Sequence, residues 1–101
     1  MEYGLGEYVL ILKALADETR LKIVTMLTEG KTCACKLLEE FHFTQPTLSY
    51  HMKQLTDSEL VVGEKKGNWV YYSINDNRMK LLCEFIITMN ETRSSNGNAT
   101  C

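Results

Sequence analysis

Residues 44–58 read TQPTLSYHMKQLTDS, and how this stretch folds decides the rest of the chain. Thr44 is a good N-cap, because its hydroxyl can accept a backbone N–H of the first helical turn. Pro46 fits that turn, where its missing N–H is not needed. Leu48, Met52 and Leu55 recur at helical spacing and predict one buried stripe. Pro46, Ser49, Tyr50 and Lys53 then point away from the core, and Gln45 and Thr47 flank the exposed N-terminal end. This face is almost uncharged but rich in hydrogen-bonding groups, whereas a merely solvated face more often carries Glu–Lys pairs. Gln can pair bidentately with adenine, Ser and Thr can meet bases or phosphates, and a Thr methyl can touch a thymine methyl. His51 falls about 60° from Leu48, on the core side. It is expected to be half-buried and structural, within reach of a phosphate.

Working outward, residues 7–16 and a segment capped by Asp17 and running through Leu27 both read as helices. The buried stripe expected of the second is Leu21, Ile23, Val24 and Leu27, and Gly30 ends it. A short third helix is expected over 34–41, joined to the fourth by His42-Phe43-Thr44. After Leu60 the period changes from helical to alternating. Residues 61–66 and 69–74 predict two strands around Lys66-Gly67-Asn68, a hairpin turn signal. A fifth helix begins after Asn75 or Asp76 and lasts to about Thr92. Surplus apolar surface is expected on the first and last helices, around Ile11 and Ile86. The fold class is mainly α with a small β-hairpin, in the order ααααββα. The expected units are a winged helix-turn-helix domain over 1–93, for DNA binding and dimerisation, and a flexible tail over 94–101. A helix-turn-helix followed by a two-stranded wing is a DNA-reading order. Element order alone leaves open a compact α+β domain with another role.

Composition sets bounds. The 101 residues carry 11 Lys and Arg against 13 Asp and Glu, for a net charge of −2. Nucleic-acid binding usually shows as a basic domain, so charge alone does not suggest DNA. A local patch is what matters, and Lys65, Lys66 and Asn68 sit at or beside the wing tip, placed for a backbone or minor-groove contact. Arg20 and Lys22 are further phosphate candidates. No apolar run approaches the roughly 20 residues of a membrane span, and no secretory signal is read. A cytoplasmic protein without a membrane partner is expected. No paired acid and base or pocket-building motif suggests an enzyme.

Four cysteines in a cytosolic chain of this size do not suggest a disulfide framework. Cys33 and Cys35 form a Cys-x-Cys pair. In a regular helix such residues lie about 200° apart around the axis and could not share one small ion. The pair falls at a helix entry, where unwinding could bring the sulfurs together. Lys31 and Lys36 favour thiolates, which select soft ions. Spacing alone leaves ligand and small buried residue as equal readings.

The stretch Thr32-Cys33-Ala34-Cys35-Lys36-Leu37-Leu38, followed by Thr44 to Met52, resembles the arsenic-responsive branch of the ArsR/SmtB repressors. The helix entry Leu15 to Leu21 and the wing Gly67 to Tyr72 match it too. The resemblance spans about residues 7–92. It implies a homodimer joined through its first and last helices, bound to inverted-repeat operator DNA and released by a ligand. It favours Cys33 and Cys35 as ligands of trivalent arsenic or antimony, an inducer and not a permanently bound cofactor. Some members carry a third cysteine just after the pair, where this chain has Lys36, Leu37 and Leu38. Cys101 is then a candidate third sulfur, because eight extended residues from Ser94 could span roughly 26 Å. Zinc-sensing members place paired histidines and carboxylates on the last helix; here that helix has Asp76, Glu84 and Glu91 but no His, and no cysteine precedes Cys33. Competing readings are a winged-helix repressor sensing thiol oxidation and a winged helix used for protein binding.

Overall fold

The computed structural model describes residues 4–95. Helices α1 (Leu5–Leu15) and α2 (Glu18–Leu27) are followed by a two-residue strand β1 (Thr32–Cys33) and helices α3 (Ala34–Phe41) and α4 (Gln45–Asp57). Strands β2 (Val61–Lys66) and β3 (Trp69–Ile74) and helix α5 (Asp76–Ser95) complete the chain. The two-stranded wing expected from sequence is therefore part of a three-stranded antiparallel sheet in the order β1-β3-β2. Thr32 pairs with Tyr72 and Cys33 with Tyr71. Helix α5 runs to Ser95, into the stretch expected as tail. Residues 96–101, with Cys101, lie outside the described residues.

Local chemistry sets the boundaries. The Asp17 carboxylate accepts the backbone N–H of Arg20 and caps α2. Gly30, at φ 136°, adopts a backbone that side-chain-bearing residues avoid. His42 turns left-handed at φ 55° and ends α3. Thr44 caps α4 as its sequence predicts, accepting the Thr47 N–H at 3.4 Å. Gly67, at φ 62°, turns the wing. Asn75 caps α5 by accepting the Arg78 N–H, and its amide donates to the Glu59 carbonyl at 2.9 Å.

One core joins these elements. Ile11, Ile23, Leu37, Met52, Leu55, Leu60 and Val61 are almost wholly buried, each worth about 1.5–3 kcal/mol over an exposed side chain. Tyr8 of α1 stacks on Phe85 of α5, with ring centroids 4.2 Å apart. Two expectations are corrected. Leu21 is not in the buried stripe but 50% exposed. At 100° per residue it lies roughly 110° from the centre of the Ile23, Val24 and Leu27 stripe. Ile11 belongs to the core, and the surplus apolar row on α1 is Leu5, Val9 and Leu12. On α5 every described side chain past Phe85 is exposed, including Ile86, Ile87 and Met89.

Arg78, 8% exposed, fastens the fold where α1, α4 and α5 meet. Its guanidinium donates to Glu7 of α1 at 3.0 Å and to Glu59, the residue after α4's last turn, at 2.7 Å. Glu59 stands at φ 63°, an uncommon backbone for a side-chain-bearing residue. Among the described residues no helix is long and apolar enough to cross a membrane.

Candidate nucleic-acid interface

Helix α4 buries Leu48, Met52 and Leu55. It is thereby rolled so that Gln45, Pro46, Thr47, Ser49, Tyr50 and Lys53 are all exposed. Thr47 and Lys53 are held by hydrogen bonds or ion pairs. The Thr47 hydroxyl accepts from Thr44 at 3.0 Å as part of the cap, and the Lys53 ammonium pairs with Asp57 at 3.1 Å. The remaining polar groups at the N-terminal end face the wing. Gln45 and Ser49 of α4, with Asn68, Trp69 and Val70 of the wing, line a groove of about 370 Å³ that also touches Ala34, Leu38 and Tyr72. Trp69, 40% exposed, was not among the residues read from sequence as contacts. An aromatic at a strand start reads equally well as core, so no sequence signal marked it. Burial raises the Tyr72 phenol above its ordinary value.

His51 is half-buried, between the Phe43 ring at 5.7 Å and the edge of Tyr50. Its Nδ1 lies 3.2 Å from an Arg20 guanidinium nitrogen, and Arg20 also donates from Nε to the Ala14 carbonyl at 2.7 Å. Arg20 thus ties α4 to α2 and to the end of α1. Lys22 pairs with Glu18 on the exposed side of α2.

At the wing, Lys65 is exposed, while Lys66 pairs with Glu64 at 3.3 Å. Glu64 also forms an ion pair with Lys31 at 3.6 Å, so one carboxylate lies between the wing tip and the cysteine strand. The Lys66 hydrogen bond, then the Lys31 charge, hold the Glu64 carboxyl below its ordinary value.

The structure brings Cys33 and Cys35 together and bonds their sulfurs, with Cα atoms 5.2 Å apart. Regular helical geometry does not separate them, because Cys33 is not helical. It caps α3 with φ −70° and ψ 142°, and its sulfur accepts the Cys35 N–H at 3.2 Å. Cys35 is exposed and Cys33 partly so. Cys83 is free and exposed on α5. Among the described residues no group of three His, Cys, Asp or Glu side chains is placed to hold a metal ion.

The architecture is that of a winged helix-turn-helix regulator: α3 and α4 form the helix pair, and β2 and β3 the wing. The signature described as "Bacterial regulatory protein, arsR family" matches residues 17–62. An arsenical resistance operon repressor of Staphylococcus aureus is 46% identical over 91 residues, 90% of this chain and 85% of that one. A repressor of the same description from Bacillus subtilis (strain 168) is 51% identical over 73 residues, 71% and 70% of the two chains. A solved ArsR family transcriptional regulator superposes with a TM-score of 0.84 at 23% identity, over 94% of this chain and 98% of that chain. At that identity the last bears on the fold alone. The chain belongs to the arsR family of bacterial regulatory proteins and is a DNA-binding transcriptional repressor in class.

Proposed function

We propose that this chain is a cytoplasmic, homodimeric repressor of an arsenical-resistance operon that leaves its operator when Cys33 and Cys35 take a trivalent arsenic or antimony atom. The observation that carries the reading is the meeting of two sulfurs at the entry of α3. Soft sulfur donors select soft ions, and two adjacent sulfurs fit two of the three bonds of a trivalent metalloid. The unit over 1–93 reads DNA and dimerises. Cys101, in the stretch 94–101, is the candidate for the third sulfur.

Gln45 and Ser49 are assigned to base edges, with Pro46, Thr47 and Tyr50 beside them. Lys53, Lys65, Lys66, Asn68 and His51 are assigned to the phosphate backbone. Cys33 connects to this surface in two ways. It starts the helix that precedes α4, and it pairs with Tyr71 of the wing strand. A ligand that binds one arrangement of these elements better than the other shifts the protein off DNA.

The test is operator release against arsenite for the wild type, Cys33→Ser and Cys35→Ser. Both variants are expected to bind operator as the wild type does and to stay bound at arsenite concentrations that release it. Release of either variant at the wild-type concentration refutes the cysteine assignment.

A further inference from the structure

We propose that the Cys33–Cys35 pair is also a redox gate on its own ligand site, closed by hydrogen peroxide to a disulfide that shuts out the metalloid and keeps the protein on DNA. The gate rests on the reading that the reduced pair is the metalloid site.

The sulfurs are bonded while everything around them is regular. Cys33 caps α3, Thr32 and Cys33 pair with β3, and α3 runs unbroken from Ala34 to Phe41. Thr44 caps α4, and Gln45 and Ser49 stay exposed on it. The closed pair and the whole recognition surface therefore coexist. A repressor released by oxidation would need the opposite, a disulfide that distorts α3 or shifts α4. Access is open, because Cys35 is exposed and its partner is one residue away across Ala34.

The chemistry balances. The Cys35 thiolate attacks one peroxide oxygen, the O–O bond breaks, and the departing hydroxide takes a proton to become water. Cys33 then attacks the sulfenic sulfur, the S–O bond breaks, the S–S bond forms and a second water leaves. Two thiols lose two electrons to one peroxide. The thiolate is the metal ligand, so a pair bonded to itself has none to offer arsenic or antimony. A dithiol reductant reopens the site by exchange.

The experiment uses the full chain, treated with hydrogen peroxide and then with catalase. Trypsin cuts after Lys31 and Lys36, so peptide 32–36 carries both cysteines. The peptide is expected lighter by two hydrogen atoms, with no covalent dimer on non-reducing electrophoresis. Operator affinity of the oxidised protein is expected within about threefold of the reduced value. Arsenite that releases the reduced protein is expected to leave the oxidised protein bound until dithiothreitol is added. Three results each overturn the gate: oxidised protein that leaves DNA without arsenite, oxidised protein that still responds to arsenite, or a peptide of unchanged mass. A reduced protein that ignores arsenite instead overturns the metalloid reading beneath it, and the reduced arm alone reveals that.

Discussion

Arg20 donates to Nδ1 of His51 at 3.2 Å, joining two helices across 31 residues of sequence. Arginine carries only donors, so in this pair Nδ1 is the acceptor. The same arginine gives its backbone N–H to Asp17. Replacing Arg20 by Ala is expected to cost about 0.5–1.5 kcal/mol for each of its side-chain hydrogen bonds. It should also weaken operator binding by loosening α4. Chemical denaturation and an operator titration check the two effects separately.

The cap under that arginine makes stability depend on pH. The Arg20 backbone N–H holds the Asp17 carboxyl below its ordinary 3.8, and the Arg20 charge adds to this against partial desolvation. A carboxyl with a lowered folded value stabilises the fold above its unfolded value. That contribution is lost as pH falls through the folded value. Asp17→Ala is expected to melt below the wild type at neutral pH, with the gap narrowing below about pH 4. Melting curves from neutral pH into that acid range check it, and a constant gap contradicts the assignment.

Gln45→Ala and Ser49→Ala are expected to leave the fold intact, since both side chains are exposed. Each should cost about 1–3 kcal/mol in operator discrimination if it meets a base edge. Lys65→Ala should instead weaken all sequences alike and lower the salt slope by about one. Titrations at several salt concentrations separate the two kinds of contact.

The row Leu5, Val9 and Leu12 on α1 and the exposed Ile86 and Met89 on α5 lack cover among the described residues. Val9→Glu and Ile86→Glu, at 46% exposure each, are expected to fold, to sediment as monomers at micromolar concentration, and to lose operator binding. A wild-type monomer in the same experiment refutes a homodimer on this surface.

Arg78→Met is expected to destabilise the chain by about 1.5–3 kcal/mol, the range for hydrogen bonds to charged groups. Glu7 and Glu59 are both partly exposed and regain water. Urea denaturation measures the loss.

Helix α4 and the wing were legible in the sequence because their signals are local. Thr44 and Pro46 mark a helix start, three apolar residues mark its buried face, and Lys66-Gly67-Asn68 marks a turn. Strand β1 was not legible, since two residues show no alternation and its partners Tyr71 and Tyr72 lie about forty positions away. That omission also hid the geometry of the cysteine pair. The sequence places Cys33 just ahead of a helix over 34–41, where unwinding could bring the sulfurs together; as an extended cap paired with β3 it meets Cys35 with that helix intact. The Arg20–His51 contact was equally out of reach, because an arginine early in a helix reads first as a phosphate contact.

Strand β1 has a further consequence for how copies of the chain behave when crowded together. It covers the middle of one edge of β3, where Tyr71 and Tyr72 would otherwise offer free backbone groups beside aromatic side chains. Exposed edges of that kind template pairing between molecules, and very short or charged strands blunt them. Here one border of the sheet is a strand of only two residues, and the other carries Glu64, Lys65 and Lys66. The strand that carries Cys33 thus also guards against edge-to-edge aggregation, and a change that lifts it away opens β3 to a neighbouring chain.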